Sequence, residues 1–538
     1  MPLSSLFAND RMSFRPEGFR IFTRSGLLRA GSILGTTETI KATESEGLPI
    51  LGPWMNRLVA RSCLRASLLI AVERTDGSQG QTRLNGVRIH DGATQGAKLR
   101  LLLATAGCLV GTASYSGWRG RHAFEYPWLM GVATLGRMVL VSANDLLSLY
   151  LGLEWSSLCL YVLASIRRGS AYSTEAGLKY FIMGAVASGF YLFGASVIYG
   201  MTGTIHFGDL ERRWRGGSEG MRMEGWSPWI SASVALGRGM VRMAFFFKLA
   251  VAPFHAWSPD VYEGSPMPST VYFAVVPKWA MTRVILRLCM GPFAAFFETI
   301  QPMRLMGSMR SRGVAALSAR SQRRLKRFRA YSAIGHMGYL LLGLSAGTME
   351  GIQAARLYGM VYMVMSLNGW LSVMSLVKRT STDDRRVSAK YITDRAGLSR
   401  RNPFLAATLA RSVLSMAGIP PRGGFMAKLW VFLAAMSQSL VAYAVRAILA
   451  SCVGAYYYLR WLKIMYFDGT TDGLTMSLGH ASGSSRGRDR MDGERRAVDG
   501  WTSRVRGVTL GVRRLLMRTP GPLRLLSHRM ALSLVMLG

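Results

Sequence analysis

The chain has 538 residues, 50% of them hydrophobic, with a mean hydropathy of +0.20 and a formal net charge of +37. So much apolar surface favours a membrane protein over a soluble helical array, and the basic charge lies partly in loops, with no nucleic-acid recognition module beside it. A spanning helix needs about 20 mostly apolar residues. Because no run of alternating strands indicates a barrel, the composition predicts an all-α polytopic membrane protein.

Apolar segments long enough to form membrane helices recur along most of the chain. They cover residues 126–143, 146–165, 177–201, 232–257, 266–289, 331–347, 354–377, 404–420 and 424–465. The last segment is long enough for two helices. Near the N-terminus, residues 13–34 are rich in Arg and Ser, which fits either a transit peptide or a polar-substituted first membrane helix.

Several of these apolar segments contain one ionisable side chain. Such residues are Glu154 in "LYLGLEWSSLCLYVLAS", Lys179 in "EAGLKYFIMGAVASGF", Lys248 after "MAFFF", Lys278 after "YFAVVP" and Lys428 in "GGFMAKLWVF". A charge inside a membrane usually faces the bundle interior or a wet cavity and marks a proton or ion path. The alternative is a side chain near a helix end that extends to the interface, most plausible for Lys179.

Prolines accompany two of the lysines. Pro253 follows Lys248 by a little over one helical turn, and Pro420 and Pro421 precede Lys428. Proline interrupts the hydrogen-bond ladder of a helix, and transporters use broken helices in pairs where these line a cavity. The sequence therefore predicts one broken helix beside a lysine in each half, with a simple proline kink as the alternative.

No cofactor site is visible in the sequence. The five cysteines have no CxxC spacing, and the seven histidines have no metal-ligand spacing. A phosphate-binding P-loop and a dinucleotide fingerprint after a strand are also missing. The sequence predicts no redox cofactor and no metal in this chain.

Longer stretches resemble a known family. "SANDLLSLYLGLEWSSLCLYVLAS", "SAYSTEAGLKYFIMGAVASGFYLFGASVIYGMTGT", "FFFKLAVAPFHAWSPDVYEGSPMPSTVYFAVVPKWA", "LKRFRAYSAIGHMGYLLLGLSAGTMEGIQ" and "AGIPPRGGFMAKLWVFLAA" closely resemble subunit 2 of respiratory complex I, the proton-pumping NADH:quinone oxidoreductase. The resemblance runs from about residue 120 to 468 and is weaker at both ends. "SHRMALSLVMLG" at the C-terminus looks like the tail of the plant mitochondrial form.

The resemblance implies roles for individual residues in a water-connected proton path. Glu154 matches the family's glutamate of the fifth helix, and Lys248 matches its paired lysine in the first broken helix. Lys278 matches the central lysine, and Lys428 matches the lysine of the second broken helix on the exit side. Lys179 and His255 match further polar positions of the same path.

The resemblance also implies an architecture and a set of partners. About 14 transmembrane helices would form two inverted-topology bundles, each with a broken helix. The expected divisions are N-terminal helices and loop (1–120), the first bundle (121–300), the second bundle (301–468) and a basic loop with a C-terminal helix (469–538). NADH, FMN, iron–sulfur clusters and ubiquinone would be bound by partner subunits of the membrane-bound complex. The mitochondrial inner membrane is the expected location, with a bacterial plasma membrane as the alternative.

Two other functions remain open at this stage. A cation/proton antiporter subunit shares the Glu–Lys axis, although the wording "STEAGLKYF" and "YEGSPMP" favours complex I. A subunit that only holds the membrane arm together, without pumping, is the other alternative.

Arginines inside the apolar segments depart from the family pattern. Residues 301–328 hold several arginines where the family has an apolar helix, and Arg422 also replaces an apolar residue. Each arginine at mid-bilayer costs roughly 2.5–3.5 kcal/mol. C-to-U editing of a plant mitochondrial transcript would convert arginine codons into Trp or Cys codons, so the sequence favours an unedited gene translation. A truly basic subunit and a nonfunctional gene copy are the alternatives.

Overall fold

The structure is a computed structural model that describes residues 51–468 except for 73–80, 117–124, 168, 216–227, 376, 380–385 and 389. The N-terminal segment 13–34 and the expected C-terminal helix after residue 469 lie outside the described residues. The described part of the chain is helical, apart from two short antiparallel hairpins and the connecting turns.

The elements of the first half surround the segment that contains Glu154. They are α1 (Leu51–Val72), β1 (Gln81–Arg83), β2 (Arg88–His90), α2 (Gly92–Ser116), α3 (Glu125–Ser142), α4 (Leu146–Ser165), α5 (Ala171–Thr202), α6 (Phe207–Arg215), α7 (Pro228–Leu249), α8 (Trp257–Gly264) and α9 (Met267–Met290). Helix α4 packs between α3 and α5, and α5 packs in turn against α7.

The second half follows a short 3₁₀ turn at Ala294–Phe296. Its elements are α10 (Phe297–Ser321), α11 (Leu325–Ser345), α12 (Met349–Met374), β3 (Val377–Arg379), β4 (Arg386–Ser388), α13 (Leu398–Arg401), α14 (Pro403–Ala417), α15 (Gly423–Met436) and α16 (Val441–Tyr466), with a second 3₁₀ turn at Thr393–Arg395 before α13. Helix α12 lies at the centre and packs against α9, α11, α14 and α15.

Every apolar segment expected from residue 126 onward contains helix, and the segment 424–465 divides into α15 and α16 as its length indicated. Within the described ranges, five helices are long and apolar enough to cross a membrane: α2, α4, α5, α7 and α12. A sixth span results if α9 and Ala294–Ser321, which meet at an angle of 81°, are counted as one bent span. The chain is therefore a multi-pass helical membrane protein.

Apolar side chains cover the outer surface of the helices. On α4, Leu147, Leu151 and Leu158 are more than half exposed, and they share one face because they are four and seven residues apart. An exposed apolar stripe of this length is unfavourable in water. The same helix turns Ser156 and Ser157 inward. This distribution, with apolar residues outside and polar residues inside, fits a bundle surrounded by lipid.

Both predicted helix breaks are present. Helix α7 ends at Leu249, and the chain continues through residues 250–256 before α8 begins at Trp257. Helix α14 ends at Ala417, and residues 418–422 lead into α15. A break leaves the last carbonyls of the preceding helix without intrahelical partners, so each break offers hydrogen-bond acceptors inside the bundle.

The arginine-rich stretch forms a helix rather than a loop. Arg304 and Arg312 of α10 are buried, and Arg310 is exposed. At least one guanidinium nitrogen of each buried arginine has no hydrogen-bond partner in the described part of the chain, and the same is true of Arg137 on α3 and Arg238 on α7. A buried cation with some of its donors unpaired is costly, so these positions are energetically mismatched with the fold.

The second break depends on a glycine. The amide of Gly424 donates to the Ser415 hydroxyl at 3.2 Å, which joins the first turn of α15 to the last turn of α14. A Cβ atom at this position would overlap the Ser415 carbonyl oxygen. The two half-helices can therefore approach this closely only with glycine at residue 424.

We predict that the mature protein differs from the written sequence at the buried arginines. If the transcript is edited, peptides from residues 301–328 and around Arg422 will contain Trp or Cys in place of arginine, which removes the mismatched charges. Peptide mass spectrometry of the protein isolated from its native membrane measures this directly. Peptides with every arginine retained would contradict editing and would require water or partner chains to solvate those charges.

We also predict that Gly424→Ala destabilises the protein by about 1–3 kcal/mol, because the new methyl group forces α14 and α15 apart. The matched control is Gly189→Ala on α5, where a Cβ atom meets nothing within 4 Å. Thermal unfolding of both variants in detergent measures the difference. Equal melting temperatures for the two variants would show that the break tolerates a wider spacing.

Candidate functional site

Glu154 lies in the middle of α4 and is half-buried against α5. Its Oε1 accepts a hydrogen bond from the Ser188 hydroxyl of α5. Its Oε2 lies 3.5 Å from the Ser157 hydroxyl, one turn further along α4. Hydroxyl groups thus bind both oxygens of the carboxylate, which compensates for part of the lost hydration.

Lys248 is in the last turn of α7, immediately before the first break, and it is half-buried. Its Nζ donates to the Tyr161 hydroxyl at 3.4 Å and lies 5.8 Å from the centre of the same ring. The ammonium is close enough to Glu154 for their charges to interact. Each member of this glutamate–lysine pair is therefore bound to a hydroxyl, with Tyr161 on the lysine side.

Lys278 is in the interior of α9, with 3% of its surface exposed. Its Nζ has no hydrogen-bond acceptor among the residues that the structure describes. The nearest stabilising groups are the faces of Tyr262 at 5.6 Å and Tyr362 at 5.9 Å, both within cation–π range. A deeply buried ammonium with only aromatic neighbours gains stability from any proton acceptor or water that reaches it.

Lys428 lies in α15, on the far side of the second break. Its Nζ donates to the carbonyl oxygen of Ala417, the last residue of α14, at 2.8 Å. It also lies 5.0 Å from the centre of the Tyr339 ring. The break thus supplies the acceptor, because a continuous helix would have used that carbonyl in its own ladder.

His336 is a further candidate that sequence reasoning did not assign. It is buried on α11, where Nδ1 lies 2.7 Å from the Tyr358 hydroxyl and Nε2 lies 3.3 Å from the Tyr458 hydroxyl. It is also close enough to Lys278 and Lys428 to interact with both charges. The sequence signal was a single histidine in the apolar run "AIGHMGYLLLG", which fits a core histidine equally well.

A small cavity lies beside this histidine in the second half. Its volume of about 20 Å³ is enough for one water molecule. Polar and charged side chains line it, namely Arg312, Ser332, His336, Tyr339, Lys428 and Tyr458. Because polar groups from four helices converge there, water in the cavity would have several partners between His336 and Lys428.

Aromatic rings pack between the Glu154–Lys248 pair and the helix that carries Lys278. Tyr180 contacts Tyr161 edge-on at 4.8 Å and Phe273 of α9 at 5.9 Å, measured between ring centres. It also stacks on Trp257 at 4.9 Å. The Glu154–Lys248 cluster is thereby connected through packed rings to the helix that carries Lys278.

Lys179 and His255 lie apart from these buried groups. Lys179 is exposed on α5 and forms ion pairs with Glu175 at 2.6 Å and with Asp260 at 3.7 Å. His255 is in the first break, where Nδ1 lies 3.2 Å from the carbonyl oxygen of Pro253. The structure does not bring either residue into contact with the buried lysines, and their expected roles stay predictions.

Asp145, at the start of the helix that carries Glu154, serves as a helix cap. Asp145 caps the N-terminus of α4, and its carboxylate accepts the amide of Ser148 at 2.7 Å. Across the described residues, no group of three or more His, Cys, Asp or Glu side chains could hold a metal ion. Apart from the arginines and Asp145, the ionisable groups that the site offers on the described helices are lysines, the half-buried Glu154 and His336, with hydroxyl groups beside them.

Comparisons with known proteins show the family to which the chain belongs. Residues 143–454 match the family described as NADH:quinone oxidoreductase/Mrp antiporter, TM. NADH-quinone oxidoreductase subunit N of Rhodospirillum rubrum is 41% identical over 394 residues, which are 73% of this chain and 78% of the relative. NADH-ubiquinone oxidoreductase chain 2 of Marchantia polymorpha is 37% identical over 463 residues, which are 86% and 90% of the two chains.

Solved structures share the fold. A chain of respiratory complex I from Thermus thermophilus has a TM-score of 0.66 at 28% identity, with 85% of this chain and 90% of that chain covered. A chain of the Mrp complex from Dietzia has a TM-score of 0.68 at 22% identity, covering 85% and 80%, and this likeness concerns the fold alone. This chain belongs to the NADH:quinone oxidoreductase/Mrp antiporter membrane family, on the branch of NADH-quinone oxidoreductase subunit N and NADH-ubiquinone oxidoreductase chain 2.

Proposed function

We propose that the chain is a core membrane-arm subunit of respiratory complex I, which couples electron transfer from NADH to ubiquinone to proton translocation. The observation that carries this proposal is the series Glu154, Lys248, Lys278 and Lys428, each held inside the helical bundle by hydroxyls, rings or a break carbonyl. The names of relatives at 37% and 41% identity support the assignment to the oxidoreductase.

The path is proposed to run along the bundle from Glu154 to Lys428. A buried lysine that gives up its proton becomes neutral and loses its attraction to a nearby carboxylate. This loss is offset because a buried charge no longer has to be stabilised away from water. Lys278 has no hydrogen-bond acceptor on the described helices, so it is suited to receive and release a proton through transient water. His336 links it to Lys428, since an imidazole can donate and accept at its two nitrogens.

The finer architecture belongs to the same proposal. About 14 helices in two inverted-topology bundles would place the two breaks in equivalent positions of residues 121–300 and 301–468. The breaks after α7 and after α14 support this division. The proposed boundary at residue 300 falls in the first turn of α10, which starts at Phe297. The flanking parts are residues 1–120 and 469–538.

The redox chemistry is proposed to belong to other subunits. NADH, FMN, iron–sulfur clusters and ubiquinone would be bound by the partners, and this chain would contribute proton transfer only. Its own partners would be the neighbouring membrane-arm subunits and the lipid bilayer, with no nucleic acid. The exposed apolar faces of α4 and α5 support contact with lipid or with apolar protein surfaces.

The mitochondrial inner membrane is the proposed location. The support is the likeness to the plant mitochondrial form and the 90% coverage of the Marchantia polymorpha relative. The Rhodospirillum rubrum relative is similar in identity, so a bacterial plasma membrane is the other possible location. Subcellular fractionation of the source with an antibody to a described segment distinguishes the two.

A cation/proton antiporter subunit is the second candidate function. The Dietzia Mrp complex chain has the same fold and a TM-score similar to that of the Thermus thermophilus chain, so the fold does not separate the two functions. The relatives named as oxidoreductase subunits favour complex I. An NADH-independent exchange of sodium for protons in vesicles would favour the antiporter instead.

The proposal predicts that Lys248→Ala in the assembled complex reduces the number of protons pumped per electron. Removing a proton-transfer group typically slows its step by about 100-fold or more, so transport through this chain would be lost while its partners still oxidise NADH. The control is Lys463→Ala, a solvent-accessible lysine in the last turn of α16. Proton uptake and NADH oxidation measured together in membrane vesicles give the ratio.

An unchanged ratio in the Lys248→Ala complex would contradict pumping by this chain and would leave the scaffold function. A reduced ratio in the Lys463→Ala complex as well would show that the measurement responds to any lost lysine rather than to the axis.

A further inference from the structure

Two hydroxyl groups lie on the face of α4 that carries Glu154. Ser157 follows the glutamate by three residues and Tyr161 by seven, so all three side chains lie on one side of the helix. Both residues are buried, with 1% of the surface of Ser157 and 7% of the surface of Tyr161 exposed. They therefore point into the bundle from the same surface as the carboxylate.

These hydroxyls connect the two charged groups. The Ser157 hydroxyl lies 3.5 Å from Glu154 Oε2 and also contacts the Tyr161 hydroxyl. The Tyr161 hydroxyl in turn accepts from Lys248 Nζ at 3.4 Å. The result is a continuous series from lysine to tyrosine to serine to carboxylate. Distances near 3.5 Å are at the long end for hydrogen bonds, and a small rotation of either side chain shortens them.

Helix α5 fixes the positions of Tyr161 and Glu154. A Cβ atom at Gly184 would overlap the Tyr161 hydroxyl, so the glycine provides the space that this hydroxyl occupies. One turn later, Ser188 binds Glu154 Oε1 and also donates to the carbonyl of Gly184 at 3.0 Å. The same turn of α5 therefore fixes the positions of the tyrosine hydroxyl and the glutamate carboxylate relative to each other.

We propose that Ser157 and Tyr161 form a hydroxyl relay that carries protons between Lys248 and Glu154; this rests on the proposed function of the chain. In one transfer the Lys248 ammonium gives a proton to the Tyr161 oxygen, Tyr161 gives its own proton to Ser157, and Ser157 gives its proton to the Glu154 carboxylate. Lysine and glutamate end neutral, and both hydroxyls are restored. A hydroxyl suits this role because it donates and accepts at once.

The relay also faces one further charge. Arg137 of α3 is buried close enough to interact with Tyr161 and Lys248. A fixed positive charge there favours the neutral form of Lys248 and therefore the release of its proton into the relay. Tyr180 and Phe181 pack edge-on against the Tyr161 ring and keep it in place.

Tyr161→Phe in the assembled complex tests the relay, because it removes the hydroxyl and keeps the ring packing. We expect normal NADH oxidation with a proton-to-electron ratio lowered to that of the Lys248→Ala complex. The matched control is Tyr180→Phe, which removes a buried hydroxyl next to the relay and should leave the ratio unchanged. Proton uptake and NADH oxidation are measured together in membrane vesicles, as for the lysine variant.

The outcomes separate the relay from the proposed function. If Lys248→Ala lowers the ratio and Tyr161→Phe does not, the relay is wrong and the pumping function stands. If neither variant lowers it, the pumping function itself fails. A fall in Tyr180→Phe equal to that in Tyr161→Phe would show that packing, rather than the hydroxyl, is responsible.

Ser157→Ala decides the question if Tyr161→Phe does not assemble. It interrupts the relay at a small side chain and should lower the ratio in the same way, whereas Ser156→Ala, on the neighbouring buried serine that donates only to the Leu153 carbonyl, should not. Equal ratios for the two serine variants would overturn the relay. Gly184→Ala gives a further check, because its methyl group displaces the Tyr161 hydroxyl while every residue of α4 stays the same. It should also lower the ratio.

Discussion

The contact between Lys248 and the Tyr161 hydroxyl is one answer to a constraint on the whole structure. A charge inside an apolar bundle must lie against a polar group or an aromatic ring. Glu154 is bound by two serines, Lys428 by a break carbonyl, and Lys278 by two tyrosine faces. None of these partners is an opposite full charge. Hydrogen bonds and ring faces therefore offset part of the cost of each buried charge, and these are the groups that the proposed proton path uses.

The helix breaks supply polar partners for buried charges. A continuous helix uses its carbonyls internally, and a break releases the last ones. Lys428 uses such a carbonyl directly, and Lys248 lies in the last turn before the other break. The close approach at Gly424 keeps the two halves of the second broken helix together, so the released carbonyl of Ala417 remains within reach of the lysine across the break. The hydrogen bond of Lys428 thus depends on the backbone geometry of the break.

Some buried arginines lack the polar partners that a charge inside an apolar bundle needs. Arg312 lies in the cavity wall near Lys428, and both terminal nitrogens of its guanidinium have no acceptor within the described chain. Unlike a lysine, an arginine stays protonated, so it cannot remove the cost by releasing its proton. An arginine of this kind does not itself take up and release protons along a path. The buried arginines are therefore the positions at which the written sequence disagrees with the fold.

The sequence by itself determined where the apolar helices after residue 126 lie, where two of them break and which of these segments contain an ionisable side chain, because hydropathy and proline chemistry act locally along the chain. Only the tertiary structure decided the partners of those charges. It separated exposed Lys179 from the buried lysines, placed His336 between Lys278 and Lys428, and brought Tyr161 to Lys248, 87 residues away. Such contacts join distant parts of the chain, and no local pattern encodes them.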